Sequence, residues 1–381
     1  MDWRYGVRKF VLAACLTISA CSSGADAPAK SIVVGQLKVT TVADALDQPW
    51  GMAFLPDGRL LVTERPGRLL IIDLNGQKSA PLSGVPRVFA RGQGGLLDVA
   101  LDPEFAANRT VYLSYSEPRD GISATAVGRG TLNAAADGLD AFTVIFQQQP
   151  AKPGNAHYGS RLAFARDGRL FITMGERQQF RDEAQNLAND LGKVVRIERD
   201  GRIPADNPFV GKSGARPEIW SYGHRNVQGA AIHPQTGELW TDEHGPMGGD
   251  ELNVDRAGRN YGWPVITYGR EYSGEKITDI TSKPGMEQPV HYWVPSIATS
   301  GLLFYTGNLF PEWRGNAFVG GMKTGSIARL ELDGERVVRE EQVLEGKLRG
   351  RARDLEQGPD GAIYLLVGDS GGRLLRVEPA N

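Results

Sequence analysis

The sequence predicts an all-β fold, a six-bladed β-propeller of four-stranded antiparallel blades, and two observations carry that prediction. A turn phrase recurs six times along the chain, and copies of it are followed by a further short strand. The 48 Gly and 22 Pro among 381 residues are spread evenly rather than gathered into a linker, which suits many short strands better than long helices. Length alone permits one large domain or two ordinary ones. Hydrophobic residues at 41% exclude a disordered chain and suffice for a real core.

The first twenty residues stand apart. Arg4, Arg8 and Lys9 give a basic start, and Phe10 to Ala20 is an apolar run, too short for a bilayer that needs about 20 residues. Residues 1–20 therefore read as a signal peptide. Ile18-Ser19-Ala20-Cys21 resembles a bacterial lipobox, in which Cys21 is lipidated and becomes the new N-terminus; Ser22, being no Asp, leaves outer-membrane sorting open. Plain cleavage near Cys21 into a soluble periplasmic form is the alternative. The expected location is the periplasm or the outer membrane, with membrane contact only through a lipid anchor. Small polar residues at 21–35 read as a flexible tether, which leaves 36–381 for the propeller. Cys15 and Cys21 are the only cysteines, so the folded body has no disulfide and depends on a large core.

The turn phrase is clearest at Phe54–Thr63, with Asp57-Gly58 at its centre. It returns at Phe164–Thr173 around Asp167-Gly168, at Ile232–Thr241 around Thr236-Gly237, and at Gln357–Leu366 around Asp360-Gly361. Looser copies are Leu101–Ser114 and Phe310–Gly320. Each reads as strand, tight turn and strand, because Asp-Gly or Thr-Gly offers the positive φ that a tight hairpin needs. Further strands are expected at Arg68–Asp73, Val194–Glu198 and Arg373–Val377, and one short helix near Asp182–Leu191. A spacing of about 55 residues per copy fits four-stranded blades with loops.

A propeller gathers its ligands in a funnel on the central axis, so the polar motifs between the hairpins are where chemistry is expected. His157 precedes one hairpin, where a neutral imidazole can take a proton near neutral pH. Gly223–Gly229 offers His224, Arg225 and Asn226, a planar fork and an amide for an anionic or carbonyl ligand. Asp242–Asn253 combines carboxylates with a Gly-rich loop, which suits a hard cation such as calcium, while zinc lacks both Cys and an HExxH pattern. Lys323 lies in the Gly-rich Gly320–Gly325. Arg351 and Arg353, two apart on an extended segment, can face one ligand. A net charge of −2 with no basic run gives no expectation of nucleic acid. A Ser-His-Asp hydrolase elbow and a nicotinamide-binding glycine motif are not expected.

Gly92–Asp98, His157–Arg161, Gly223–Asn226, Glu243–Pro246, Asn260–Pro264 and Arg351–Asp354 occur in one order that resembles the soluble PQQ-dependent glucose and aldose sugar dehydrogenases, a quinoprotein family. Any one motif is weak and the ordered set is specific; the likeness spans nearly the whole mature chain. The resemblance implies oxidation of an aldose to its lactone with pyrroloquinoline quinone (PQQ) and Ca2+. It implies that His157 takes the proton of the anomeric hydroxyl as hydride passes to the quinone, and that Arg225 stands by the reacting oxygen. It assigns Asn226, Lys323, Arg351 and Arg353 to the cofactor and Gln93 to the sugar. The carbonyls of Gly245 and Pro246 match ligands of the calcium that polarises PQQ, and Glu251 with the Tyr261 carbonyl resembles a second, structural calcium site. Ala156 stands where the glucose-specialised members carry an acidic residue, and their long inserted loops do not fit this length. Both departures point to the broader aldose type.

The expected partners are a small-molecule aldose and an external electron acceptor, with a monomer or weak dimer as the assembly. Two other readings stand beside this one. A calcium-dependent propeller lactonase needs a metal ringed by side-chain carboxylates and leaves the arginines without a task. A non-enzymatic envelope-binding propeller needs no convergence of His157, Arg225, Lys323 and Arg353.

Overall fold

The computed structural model describes residues 31–380. The leader, Cys15, Cys21 and most of the tether lie outside the described residues. Six antiparallel sheets follow one another along the chain and close into a six-bladed propeller with almost no helix. Blade one holds Pro49–Phe54, Leu60–Glu64 and Arg68–Ile72, and blade two Leu96–Leu101, Thr110–Arg119, Ile122–Leu132 and Leu139–Gln147. Blade three holds Leu162–Phe164, Leu170–Thr173, Lys193–Ile197 and Ile219–Tyr222. Blade four runs from Val227–Ile232 through Leu239–Glu243 and Asp250–Asp255 to His291–Trp293, and blade five from Thr299–Phe304 through Ala317–Gly321 and Ser326–Asp333 to Arg336–Val343. Blade six has Ala352–Gln357, Ile363–Val367 and Ser370–Pro379, and the N-terminal strand Leu37–Asp47 pairs onto the last of these.

That pairing ties the two ends of the chain together and closes the ring. Ser31–Val34 adds a fifth strand to the same sheet, so regular structure begins ahead of residue 36, while blade one has three named strands and a single further bridge, Ile72 to Lys78. Every blade is sandwiched between two others, so its middle strands are buried on both faces. That is why Leu60–Glu64 and Ile363–Val367 are buried throughout and do not alternate. Met52, Leu60 and Val62 of blade one pack on Tyr364, Leu366 and Leu374 of blade six, while Leu355 and Leu365 meet Leu303 and Phe318 of blade five.

The four clear turn phrases form the expected hairpins. Gly58, Gly168, Gly237 and Gly361 all have φ between 77° and 86°. In three of them the Asp Oδ1 accepts the amide two residues on, at 3.1 Å from Arg59, Arg169 and Ala362. The looser copies are wider hairpins that each enclose one helical turn, Phe105–Asn108 and Pro311–Trp313. The short helix expected near Asp182–Leu191 is a 3-10 helix, Arg181–Gln185, that stops short of Leu191. Beyond it, Asn186 Oδ1 accepts the Ala188 amide and Asn189 Oδ1 the Leu191 amide, and such local bonds compete with a helical ladder.

Five of the six innermost strands carry a register shift near their start: at Pro49/Met52, Leu96/Val99, Val227/Gly229, Ser300/Leu302 and Ala352/Asp354. A bulge bends the strand and re-aims a side chain. The skipped residues include Trp50, Leu97, Gln228 and Arg353, and all four line one cavity on the axis. Arg161 plugs the channel beside them. Its guanidinium meets Asp98 at 3.2 Å and Asp354 at 2.7 Å, donates to the carbonyls of Gln228 and Arg353, and lies 4.2 Å from the Trp50 ring centroid. One buried side chain thus ties five blades together.

Candidate active site

The axial cavity of about 350 Å³ opens on the end of the ring where the inner strands begin. Gln93, Tyr158, His244, Arg65, Arg351, Arg353 and Asp369 are polar residues of its wall. His157 enters this end through the loop before blade three. It is 4% exposed and has φ 50°, an uncommon conformation for a residue with a Cβ. Its amide donates to Gln93 Oε1 at 2.8 Å, and its Nδ1 donates to Glu176 Oε2 at 3.0 Å. A carboxylate oxygen accepting at Nδ1 places the ring proton there and leaves the lone pair on Nε2. Among the described residues no protein group bonds to Nε2. Burial pulls the imidazole below its ordinary value of 6.5; Glu176 opposes this, and Arg225 and Arg177 add to it. The ring is a neutral base at neutral pH.

The carboxylate in this lining, Asp369, accepts the Arg351 amide at 3.3 Å and forms no ion pair with the guanidinium groups. Among the described residues, no carboxylate lies within ion-pair distance of the side chains of Arg65, Arg351 or Arg353. Arg353 Nη1 donates to Gln228 Oε1 at 3.1 Å, whereas its buried Nε has no partner. Burial, then repulsion from Arg351, Arg161 and Arg65, holds Arg353 well below the usual guanidinium range, with Asp354 offsetting only in part. Arg351 is exposed at the rim against Met322 Sδ. Lys323, next to Met322, is exposed and is not part of the cavity lining.

Arg225 and Asn226 sit on the loop into blade four. Glu243 braces that loop, with Oε1 on His224 Nδ1 at 2.9 Å and Oε2 on the Arg225 amide at 2.6 Å. Arg225 Nη1 donates to the carbonyls of His244 at 3.1 Å and Gly245 at 2.9 Å. Asn226 Oδ1 accepts the Gly159 amide at 3.1 Å, joining this loop to the one that carries His157. His244 lines the cavity between these groups. Burial pushes its imidazole down to about 3, with Arg225, Arg353 and His157 each contributing. The side chains at 157, 225 and 353 all act on this one ring.

A second cavity of about 10 Å³, room for a single small occupant, adjoins Arg225. Gly245, Glu243, Glu251, Tyr261 and Thr267 line it. Burial, then the charge of Glu243, pushes Glu251 up to about 8. Glu243 and Glu251 offer carboxylate oxygens, which suit a hard cation, and Arg225 and His244 also line the space. Among the described residues no group of three His, Cys, Asp or Glu side chains is disposed to hold a metal, so a cation here depends on carbonyl oxygens.

Glu176, Arg177, Tyr158, His244, Trp50 and Arg65 are components of the site that motif reading did not single out. Arg177, 1% exposed, donates to the carbonyls of Ala156, Ser123 and Gly154 and so fixes the segment that delivers His157. The available signal was position: Glu176 and Arg177 directly follow the strand of the Asp167-Gly168 hairpin, and Trp50 and Arg65 flank the first one. A hydrolase elbow was not expected, yet Gly368-Asp369-Ser370-Gly371-Gly372 spells a glycine-flanked serine. The segment joins two antiparallel strands rather than a strand and a helix, and Ser370 bonds to no histidine.

A family model described as Glucose / Sorbosone dehydrogenase matches residues 46–376. The chain is 46% identical over 349 residues to the aldose sugar dehydrogenase YliI of Escherichia coli (strain K12), covering 91% of this chain and 94% of that one. Among solved structures, the apo-form of the soluble aldose sugar dehydrogenase from Escherichia coli superposes with a TM-score of 0.88 at 45% identity, covering 90% of this chain and all of that one. The PQQ-bound aldose sugar dehydrogenase of Streptomyces coelicolor gives 0.74 at 28% identity, with 92% and 99% covered.

Proposed function

Because the chain belongs to the glucose/sorbosone dehydrogenase family, and is thus an oxidoreductase of the sugar dehydrogenase kind, we propose that it oxidises aldoses to lactones with PQQ and calcium. The observation that carries the cofactor is the pair Arg351 and Arg353, whose charges repel each other and form no ion pair with Asp369, the carboxylate in the same lining. PQQ is a planar tricarboxylate, and planar guanidinium forks match carboxylates. Arg351 and Arg353 would hold those carboxylates, with Asn226 and Lys323 at the edge. The Gly245 and Pro246 carbonyls would hold the calcium that polarises PQQ, and Glu251 with the Tyr261 carbonyl a second, structural calcium; Gly245, Glu251 and Tyr261 line the small cavity. When bound, PQQ supplies the two-electron acceptor and calcium the Lewis acid that polarises it.

The protein's own residues do the rest. His157 Nε2 takes the proton of the anomeric hydroxyl, and the developing charge on that oxygen helps expel hydride from the adjacent carbon. Glu176 holds the ring in the tautomer that can accept. Gln93 uses Oε1 on the His157 amide, which leaves its NH2 group free to donate to the sugar. Arg225, fixed by two carbonyls, sets a positive charge beside the reacting centre. Ala156 gives the sugar no charged contact next to the base, in keeping with a broad aldose range.

The test is reconstitution. Apo-protein titrated with PQQ and calcium should saturate and then reduce an artificial dye when given aldoses; no uptake of PQQ would end this reading. In the reconstituted protein, Glu176→Gln should lower kcat about tenfold. It weakens one charge-assisted bond worth about 1.5–3 kcal/mol, and an amide oxygen can still accept from Nδ1. The acid limb of its pH profile should also move lower, because Glu176 opposes the burial effect on His157. An unchanged kcat would separate Glu176 from the base.

A further inference from the structure

We propose that Arg65 is a positioning residue for the base: through the carbonyls on either side of Gln93 it fixes the side chain that anchors the His157 backbone. The proposal rests on the assignment of His157 as base and adds a residue to which that assignment gives no role. Arg65 leaves blade one and already bridges two blades through its backbone. Its amide donates to Gln48 O at 3.2 Å, and its carbonyl accepts from the Leu96 amide at 3.0 Å. Its side chain then reaches over the loop between the blades. Nε and Nη2 donate to Gly94 O at 3.2 and 3.1 Å, and Nη2 also donates to Gly92 O.

The residue between those two carbonyls is Gln93. Its amide is held from the other side by Asn155 O at 2.7 Å. The Gly92 backbone, at φ 57°, lies so close to Asn155 that a Cβ there would stand 2.5 Å from that side chain. Gln93 is therefore clamped between Arg65 and Asn155, and its Oε1 is presented to the His157 amide. That amide belongs to a residue at φ 50°, which needs outside support to persist. Glu176 holds the imidazole and Gln93 holds the backbone beneath it. The position is a costly one for a cation, because burial and the nearby Arg351 both lower the Arg65 pKa. A planar fork that spans the carbonyls of Gly92 and Gly94 is what an ammonium group lacks.

The charge and the fork can be separated with Arg65→Lys, which keeps the first and loses the second. In the reconstituted enzyme at saturating PQQ, kcat should fall about 10- to 100-fold, the range expected when a reacting group is slightly misplaced. In the apo-protein, NMR of labelled histidine should show the His157 titration moving up toward 6.5 as the loosened ring gains water; the facing groups Glu176, Arg177 and Arg225 are unaltered. Gln93→Met cuts the chain one link later, so it should shift the same resonance, and the double variant should be no slower than Gln93→Met alone. A near-wild-type kcat for Arg65→Lys, an unmoved His157 titration in it, or losses that multiply in the double variant would each overturn the proposal. Should Arg65→Lys fail to fold, Gln93→Met decides alone, and an unmoved His157 titration in that variant overturns it. Failure of the wild type to take up PQQ would instead strike the functional reading, and the apo-protein titration would still judge the clamp.

Discussion

Replacing His157 with Ala is expected to lower turnover of the PQQ- and calcium-loaded protein by about 1,000-fold while leaving PQQ half-saturation almost unchanged. General base catalysis contributes about 100- to 10,000-fold, and the upper part applies where no second base can substitute. Here none can. His244, the imidazole that lines the cavity, uses Nε2 to donate to Thr299 O at 2.7 Å and is held near 3, too weak a base to serve. The cationic wall stands on other blades, so the cofactor site should survive the loss. The pH profile of the wild type carries the same argument. His157 must be neutral to accept a proton, so the rate falls as pH drops through its pKa, which burial places below 6.5. An acid limb centred above 6.5, or a variant that keeps more than a tenth of the wild-type rate, would remove His157 from the role.

How far the sequence disclosed this site can be judged from particular residues. The hairpins were legible because Asp57-Gly58, Asp167-Gly168 and Asp360-Gly361 are local devices: a short side chain accepts an amide two residues on, and glycine takes the positive φ. His157 and Arg225 were legible as chemistry-bearing types on loops between those hairpins, and Arg353 as one on an extended segment. The bulges were not legible. A strand read with period two gives no sign that Trp50, Leu97, Gln228 and Arg353 are skipped by the ladder and turned into the funnel. Nor was Gln93 legible as a support for His157. It contributes an acceptor to a backbone 64 residues away, and no local pattern records so long a contact. The short helix expected near Asp182–Leu191 ends at Gln185 for a neighbouring reason: Asn186 and Asn189 divert the amides that a longer helix would have used.

Arg353→Met should weaken PQQ binding about 100-fold and at the same time raise the melting temperature of the apo-protein. Both effects come from one feature. The guanidinium lies under Arg351, beside Arg161 and Arg65, with a buried Nε that nothing satisfies. In the apo-protein its bonds to Gln228 and, at 3.5 Å, to Ser300 Oγ are weak recompense for a buried charge among like charges. Methionine keeps much of the side-chain length beside Trp50 and removes the repulsion. The backbone carbonyl that Arg161 and Ser300 use is retained. With the cofactor present the sign reverses, since one hydrogen-bonded charge pair is worth about 1.5–3 kcal/mol and each tenfold in affinity is about 1.4 kcal/mol. A residue kept for the fold would lose stability on substitution and leave affinity alone. A solvated surface arginine would change neither. Thermal melts of the apo-protein set beside a PQQ titration therefore separate the three, and a lowered melting temperature with unaltered affinity would show that the arginine wall is not the carboxylate site.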